Sequence, residues 1–284
     1  MSDRVGLVLG GGGVLGAAWM VGAMKALEQE TGLDLREVDQ YVGTSAGSIL
    51  VALLGAGVGV EDLLRNNARH LRDIPPTAVL SALVPEGTGS LDEIGEMIAH
   101  AVPRGWAPRP GVTVVALDYE TGQRIPFGRD GSPVVDLAQA VMASCAIPGW
   151  FHPVTIGEHR YVDGGTWSST NVDLLVGHDL ERVYVLAPTV SFELDSPKQL
   201  GTRLERRWRN RVTARCLREV AKLQEEGTEV RVLGPGREDL QAMGANLMDT
   251  GRRATVIETS LRTSGAVLRH PEPLPESRHF EEDE

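Results

Sequence analysis

The apolar run Val5 to Leu9 stops at the four glycines Gly10 to Gly13, and beyond them Ala17, Met20, Val21, Met24 and Leu27 return at helical spacing. The pattern reads as strand, glycine turn, helix. It then repeats: a second apolar stretch at Tyr41 and Val42 runs into Gly43-Thr44-Ser45-Ala46-Gly47, after which Ile49 to Leu54 is apolar all round, as in a buried helix. Two strand-turn-helix units in succession predict a central, mostly parallel sheet between helix layers, a three-layer α/β/α fold, because parallel strands need crossovers of that length.

Further along, Val60 to Ala101 reads as helical, broken at Pro75-Pro76 and Pro85, with Ser90 capping a segment in which Leu91, Ile94, Met97 and Ile98 form the apolar stripe. Val112 to Leu117 and Gln123 to Phe127 read as two strands joined by the tight turn Asp118 to Gly122. A helix is expected over about Val135 to Ser144, and strands at Arg160 to Val162 and Val183 to Leu186. Leu200, Leu204, Trp208, Val212, Cys216 and Val220 recur every fourth residue and predict one long helix. Its other positions carry Arg203, Arg206, Arg207, Arg209, Arg211, Arg215 and Arg218, a basic face read chiefly as solvated and secondarily as a surface for a partner or phosphate. A single domain is expected over residues 3–268, followed by a flexible acidic tail, 269–284.

Composition narrows the function classes. The 284 residues are 42% hydrophobic and 24% charged, enough apolar material for a substantial core. A net charge of -11 argues against nucleic acid as a partner, since phosphate binding wants clustered cations. Cys145 and Cys216 are far apart and read as two buried thiols, with neither a disulfide framework nor a metal ligand set. Val5 to Leu9 is too short for the apolar core of a signal peptide, and Ile49 to Val60, interrupted by glycines, falls short of a membrane span. A cytoplasmic protein is the expectation.

The sharpest chemical signal is the G-x-S-x-G of Gly43 to Gly47, placed where a strand becomes a helix. A serine on such a turn is held in a strained backbone, small neighbours admit a substrate carbonyl, and the helix N-terminus favours developing negative charge. Gly10 to Gly16 supplies unobstructed backbone N–H groups at a neighbouring helix start, suited to an oxyanion hole. The same stretch fits the G-x-G-x-x-G of a dinucleotide site through Gly11, Gly13 and Gly16. That reading wants an acid at the end of the second strand, whereas Asp34 and Asp39 precede the strand's core. No local motif marks any of the seven histidines as a base; His152 and His159, nearest in sequence to Asp163, are the two worth testing. Asp163-Gly164-Gly165, at the end of a short strand, offers a carboxylate with small neighbours, and by itself also reads as a plain turn.

Taken together, Gly10 to Gly16, Gly43 to Gly47, and Asp163 to Gly165 resemble, in order and nearly in wording, the patatin-like phospholipase family. The stretch Ala143 to Phe151 is similar to that family's loop of small residues, proline and aromatics ahead of the Asp-Gly-Gly turn, and the resemblance covers about Val5 to Asn171. It implies an acyl hydrolase with a Ser-Asp dyad and no metal or other cofactor. Ser45 would be the nucleophile and Asp163 its base; Gly43, Thr44, Ala46 and Gly47 would form the elbow, and Gly164 and Gly165 the base turn. Amides of Gly11, Gly12 and Gly13 would hold the oxyanion. Trp150 and Phe151 are candidates to line the acyl site, with core packing as their other reading. The implied partner is a lipid or other acyl ester, with peripheral contact to membrane lipid. Leu15 stands where many family members carry a basic residue, so ester hydrolysis is better supported than contact with a phosphate headgroup. Two other classes stay open: a nucleotide-binding oxidoreductase using Gly10 to Gly16, and a silent relative that binds acyl chains without turnover. A Ser-His-Asp hydrolase fits less well, because position 45 is early for its elbow.

Overall fold

The computed structural model describes residues 3–66, 90–192 and 200–280. The first unit is strand β1 (Val5–Leu9) and helix α1 (Gly13–Thr31), the second β2 (Gln40–Thr44) and α2 (Ala46–Gly55), as the apolar pattern predicts. Of the segment read as helical between Val60 and Ala101, α3 (Val60–Asn66) and α4 (Asp92–Ala101) are helices; the prolines at 75, 76 and 85 lie outside the described residues. The Ser90 hydroxyl accepts the Asp92 amide at 3.0 Å, but the N-cap position of α4 is Leu91, one residue later than the expected cap, because the helix begins only at Asp92. Then follow β3 (Val112–Asp118), β4 (Arg124–Phe127), α5 (Leu137–Ser144), β5 (Val154–Ile156), β6 (His159–Asp163), β7 (Arg182–Leu186), α6 (Leu200–Glu225), β8 (Glu229–Leu233), α7 (Arg237–Met243) and α8 (Arg253–Arg269). The pattern reading did not place β5, β8, α7 or α8.

The strands form one mixed sheet with neighbours in the order β5-β6-β3-β2-β1-β7-β8 and β4 on β3. Strands β3, β2, β1, β7 and β8 run parallel, while β4, β5 and β6 join antiparallel at the β3 end. Alternation along the strands sorts the core into two layers. Leu7, Leu9, Tyr41, Val114, Tyr184 and Leu186 face a large cluster completed by α1, α2, α5 and α8. Val8, Val42, Val115, Val183 and Val185 face a smaller one completed by Cys216, Val220 and Leu223 of α6. Helix layers on both faces make the three-layer α/β/α arrangement.

The registers put the site together. On β3, Val115 pairs with Thr44 of β2 and with Pro126 of β4, and Ala116 pairs with Asp163 of β6 and with Ile125 of β4. A strand residue has one partner on each edge, so β4 occupies one edge of β3. Strands β2 and β6 share the other, meeting end to end where Thr44 and Asp163 sit opposite consecutive residues. Within the stretch read as a tail, residues 277–280 form a 3-10 turn, and Phe280 is buried against Ala214 and Leu217 of α6. Residues 281–284 lie outside the described ones.

Candidate active site

Two helix starts and one strand end converge at this junction. Leu9 pairs with Gly43, so β1 and β2 finish side by side and the turns leading into α1 and α2 are neighbours. A Cβ added at Gly11 would lie 3.4 Å from the Ser45 Cβ. Ser45 is the residue at the start of α2 and holds φ 51°, ψ -121°, a backbone region that L-residues other than glycine rarely occupy. Close approach demands glycine nearby: at Gly47 a Cβ would meet the Leu9 carbonyl oxygen at 1.9 Å.

Hydrogen bonds hold the strained turn on three sides. The Ser45 amide donates to the Ser144 hydroxyl at 2.9 Å, and that hydroxyl donates to the Val115 carbonyl at 2.6 Å. The Ser45 carbonyl accepts from the Ser48 hydroxyl at 2.6 Å and the Ser48 amide at 2.8 Å. The Thr44 hydroxyl accepts from the Asn171 side-chain amide at 3.0 Å. None of the motifs assigned a role to Ser48, Ser144 or Asn171. Their partners lie up to 127 positions away, and a serine or asparagine at such a distance has no sequence signal.

Asp163 reaches the same point from β6. Its amide donates to the Ala146 carbonyl at 2.9 Å, tying it to the small-residue stretch, and its carboxylate accepts the Gly165 amide at 2.7 Å. A Cβ at Gly164 would strike the Val115 carbonyl oxygen at 2.3 Å, so the base turn runs tight against β3. Burial pushes the Asp163 carboxyl up to about 6, against the hydrogen bonds from the Ser45 hydroxyl and the Gly165 amide, which lower it. A buried aspartate bonded to a serine hydroxyl on a strained turn can take a proton near neutral pH.

The glycine loop divides into two parts. Gly11, expected among the oxyanion donors, has its amide committed to the Ser169 carbonyl at 2.8 Å. Among the described residues the amides of Gly12 and Gly13 donate to no acceptor, and they open α1. They lie beside the Pro188 ring and the Met248 sulfur, which a Cβ at Gly12 or Gly13 would meet at 2.6 and 3.0 Å. Leu15 is fully buried in the larger core cluster.

The remaining candidates sit apart. His152 and His159 are exposed, and the His159 Nδ1 pairs with Asp118 at 2.8 Å. Phe151 packs on the larger core, and Trp150 is half-buried. Asp39, one of the acids near the second strand, precedes that strand instead of ending it as a dinucleotide site would want, and accepts the Val5 amide at 2.7 Å at the opposite end of the strands from the glycine loop. Among the described residues one group could gather ligand atoms around a metal, Asp118, Glu120 and His159. There Asp118 already takes the amides of Glu120 and Thr121, and Glu120 pairs with Arg160. Among the described residues, no helix is long and apolar enough to cross a membrane.

A family model described as patatin-like phospholipase matches residues 7–176. Uncharacterized NTE family proteins of Mycobacterium bovis and Mycobacterium tuberculosis are 29% identical over 280 residues, an alignment that covers 93% of this chain and 43% of theirs. The chain thus spans less than half the length of these relatives. The crystal structure of VipD from Legionella pneumophila superposes with a TM-score of 0.48 at 14% identity, covering 94% of this chain and 67% of that one.

Proposed function

Because the chain belongs to the patatin-like phospholipase family, whose model spans more than half of it, we propose that it hydrolyses carboxylic esters of lipids through an acyl-enzyme on Ser45, with Asp163 as the base. The family acts on lipid esters. The observation that carries the finer reading is the meeting of the Ser45 hydroxyl with a buried Asp163 carboxyl raised to about 6.

In the proposed cycle the Ser45 oxygen attacks the ester carbonyl carbon while its proton passes to Asp163. The carbonyl π electrons move to oxygen, and the amides of Gly12 and Gly13 receive that oxyanion, aided by the positive ends of α1 and α2. Each such donor is worth about 2.7 to 4 kcal/mol in the transition state. Collapse expels the alcohol, which takes the proton back from Asp163. Water, deprotonated by the same carboxylate, then attacks the acyl-enzyme and frees the fatty acid; the proton returns to Ser45. Gly11 braces the loop through Ser169 instead of contributing a donor. Contact with a membrane surface during substrate capture belongs to the same proposal, as does a lipid rather than a water-soluble ester.

Labelling with a fluorophosphonate, read by intact mass and peptide mapping, tests this. The wild type is expected to take one label at Ser45, Ser45→Ala none, and Asp163→Asn far less, while His152→Ala and His159→Ala label normally. A folded wild type that takes no label, or a histidine variant that abolishes labelling while Asp163→Asn does not, would sink the dyad.

A further inference from the structure

The turn 168–172 belongs to none of the three motifs, yet it bonds to all of them. The Ser168 amide donates to the Gly164 carbonyl of the base turn at 3.1 Å, and the Ser169 carbonyl accepts the Gly11 amide of the glycine loop at 2.8 Å. The Asn171 side chain donates to the Thr44 hydroxyl, next to the nucleophile, at 3.0 Å and to the Ser168 carbonyl at 2.6 Å. Its amide orientation is settled by chemistry: the Asn171 Oδ1 accepts from the Arg124 guanidinium at 3.2 Å, and arginine only donates. Asn171 holds φ 56°, in the left-handed region that asparagine tolerates better than other non-glycine residues.

This turn is fastened from beneath by one side chain. Glu219, on α6 and 5% exposed, accepts the Thr170 hydroxyl at 2.9 Å and the Val172 amide at 3.0 Å through the same carboxylate oxygen. The two donors flank Asn171, so the carboxylate clamps the turn on either side of the residue that reaches Thr44. A buried carboxylate is expensive to desolvate, and an apolar side chain would fill the same space without that penalty. Its return is directional: it fixes where Asn171 and the Ser169 carbonyl stand.

We infer that Glu219 is a positioning residue for the acyl transfer, acting through the turn 168–172 to hold the glycine loop, the Ser45 elbow and the Asp163 turn in register. It touches no reacting atom. The inference rests on the hydrolase reading for its kinetic consequence and on the structure alone for its mechanical one, so it is tested by two independent readouts.

The full chain is compared as wild type, Glu219→Ala, Glu219→Gln, Asn171→Ala, the Glu219→Ala/Asn171→Ala double variant, and Leu223→Ala. Leu223 is a buried α6 residue on the smaller core whose apolar side chain makes none of these hydrogen bonds. The first readout is the rate of fluorophosphonate labelling at Ser45. Glu219→Ala and Asn171→Ala should each label about 10- to 100-fold more slowly, as expected for a misplacement near 1 Å. Glu219→Gln, which keeps an acceptor oxygen, should recover most of the rate, and the double variant should be no slower than the worse single one. Leu223→Ala should lose stability and keep its rate. The second readout is amide hydrogen exchange: Glu219→Ala should lose protection at 10–16, 43–47 and 164–172 together while the rest of α1, residues 17–31, and α8 stay protected. Labelling of Glu219→Ala within about twofold of wild type, equal slowing in Leu223→Ala, or exchange confined to α6 would each overturn the inference. Should Glu219→Ala fail to fold, Asn171→Ala cuts the same chain of bonds at its other end and decides. If the wild type takes no label, the hydrolase reading falls, and the exchange readout alone decides the positioning role.

Discussion

The two faces of the sheet are built on different principles. The face toward α1, α2, α5 and α8 is larger and mainly apolar, with Ser48, Ser144, Ser260 and Ser264 among its buried polar groups, and its helices approach so closely that a Cβ at Gly22 of α1 would meet the Ile257 carbonyl oxygen of α8 at 2.5 Å. The face toward α6 is smaller and buries Glu219, Thr170, Asn171, Ser168 and Thr213 beside its valines. Burial pushes the Glu219 carboxyl above the ordinary glutamate range. Apolar contact is non-directional and stabilises roughly in proportion to area, whereas a buried hydrogen bond fixes an angle and a distance and gains little net free energy. The larger face therefore chiefly holds the fold up, touching the site through Ser48 and Ser144, while the face toward α6 braces the site through its buried polar turn.

Activity and stability should accordingly come apart under mutation. The largest effect is expected at the junction itself: Asp163→Asn should lower ester hydrolysis by about 10²- to 10⁴-fold, the range of a general base, measured as kcat/KM on a short acyl ester. The same change should stabilise the protein at pH 8. The folded Asp163 titrates near 6 against an ordinary 3.8, so its contribution to stability is complete below the lower value and is lost as pH rises through the upper one. That difference amounts to about 3 kcal/mol. Denaturant titrations of both proteins should show a gap at pH 8 that closes toward pH 4; a gap that widens there would mean that the carboxylate is not held in a desolvated site. Wild-type activity should fall as pH drops below about 6, as the base becomes protonated.

Next in size is the far face. Leu27, fully buried in α1, replaced by alanine should cost about 2 to 5 kcal/mol of unfolding free energy with kcat and its pH midpoint unchanged. A moved midpoint would break the division between the faces, since it would show the apolar layer tuning the base directly. Smallest is the surface: His159→Ala removes an exposed partner of Asp118 and should change stability by less than about 0.5 kcal/mol, with a normal rate of hydrolysis. A large kinetic effect there would reopen the histidine as a base.

What the sequence shows of this molecule follows the same division. The units β1-α1 and β2-α2 stand out because long apolar runs end in glycines, and glycine is required there by backbone contacts as short as that at Gly47. Helix α8 does not stand out, because it packs through Ser260, Ser264 and Gly265 instead of a leucine stripe, with the Ser260 hydroxyl donating to the Trp19 carbonyl at 2.6 Å. Strand β8 alternates Glu229 and Arg231 with Val230 and Val232, a short edge easily taken for loop beside a long charged helix. At the site, Ser45 and Asp163 carry their glycines with them and can be found. Ser144, Asn171 and Glu219 act by distance alone, and only the folded chain brings them near. The commitment of the Gly11 amide to Ser169 is legible only in space for the same reason.

The end-to-end meeting of β2 and β6 on one edge of β3 has a consequence for how such a chain can change. The separation of nucleophile and base is counted out in the backbone of a third strand, by the step from Val115 to Ala116, and that strand supplies neither group. The apolar side chains Val114, Val115 and Ala116 along β3 can therefore change with only their packing at stake. An insertion or deletion there shifts one partner by a strand repeat, about 3.3 Å, and turns its side chain to the opposite face. The register along β3 thus bears on the site as directly as the two residues it separates.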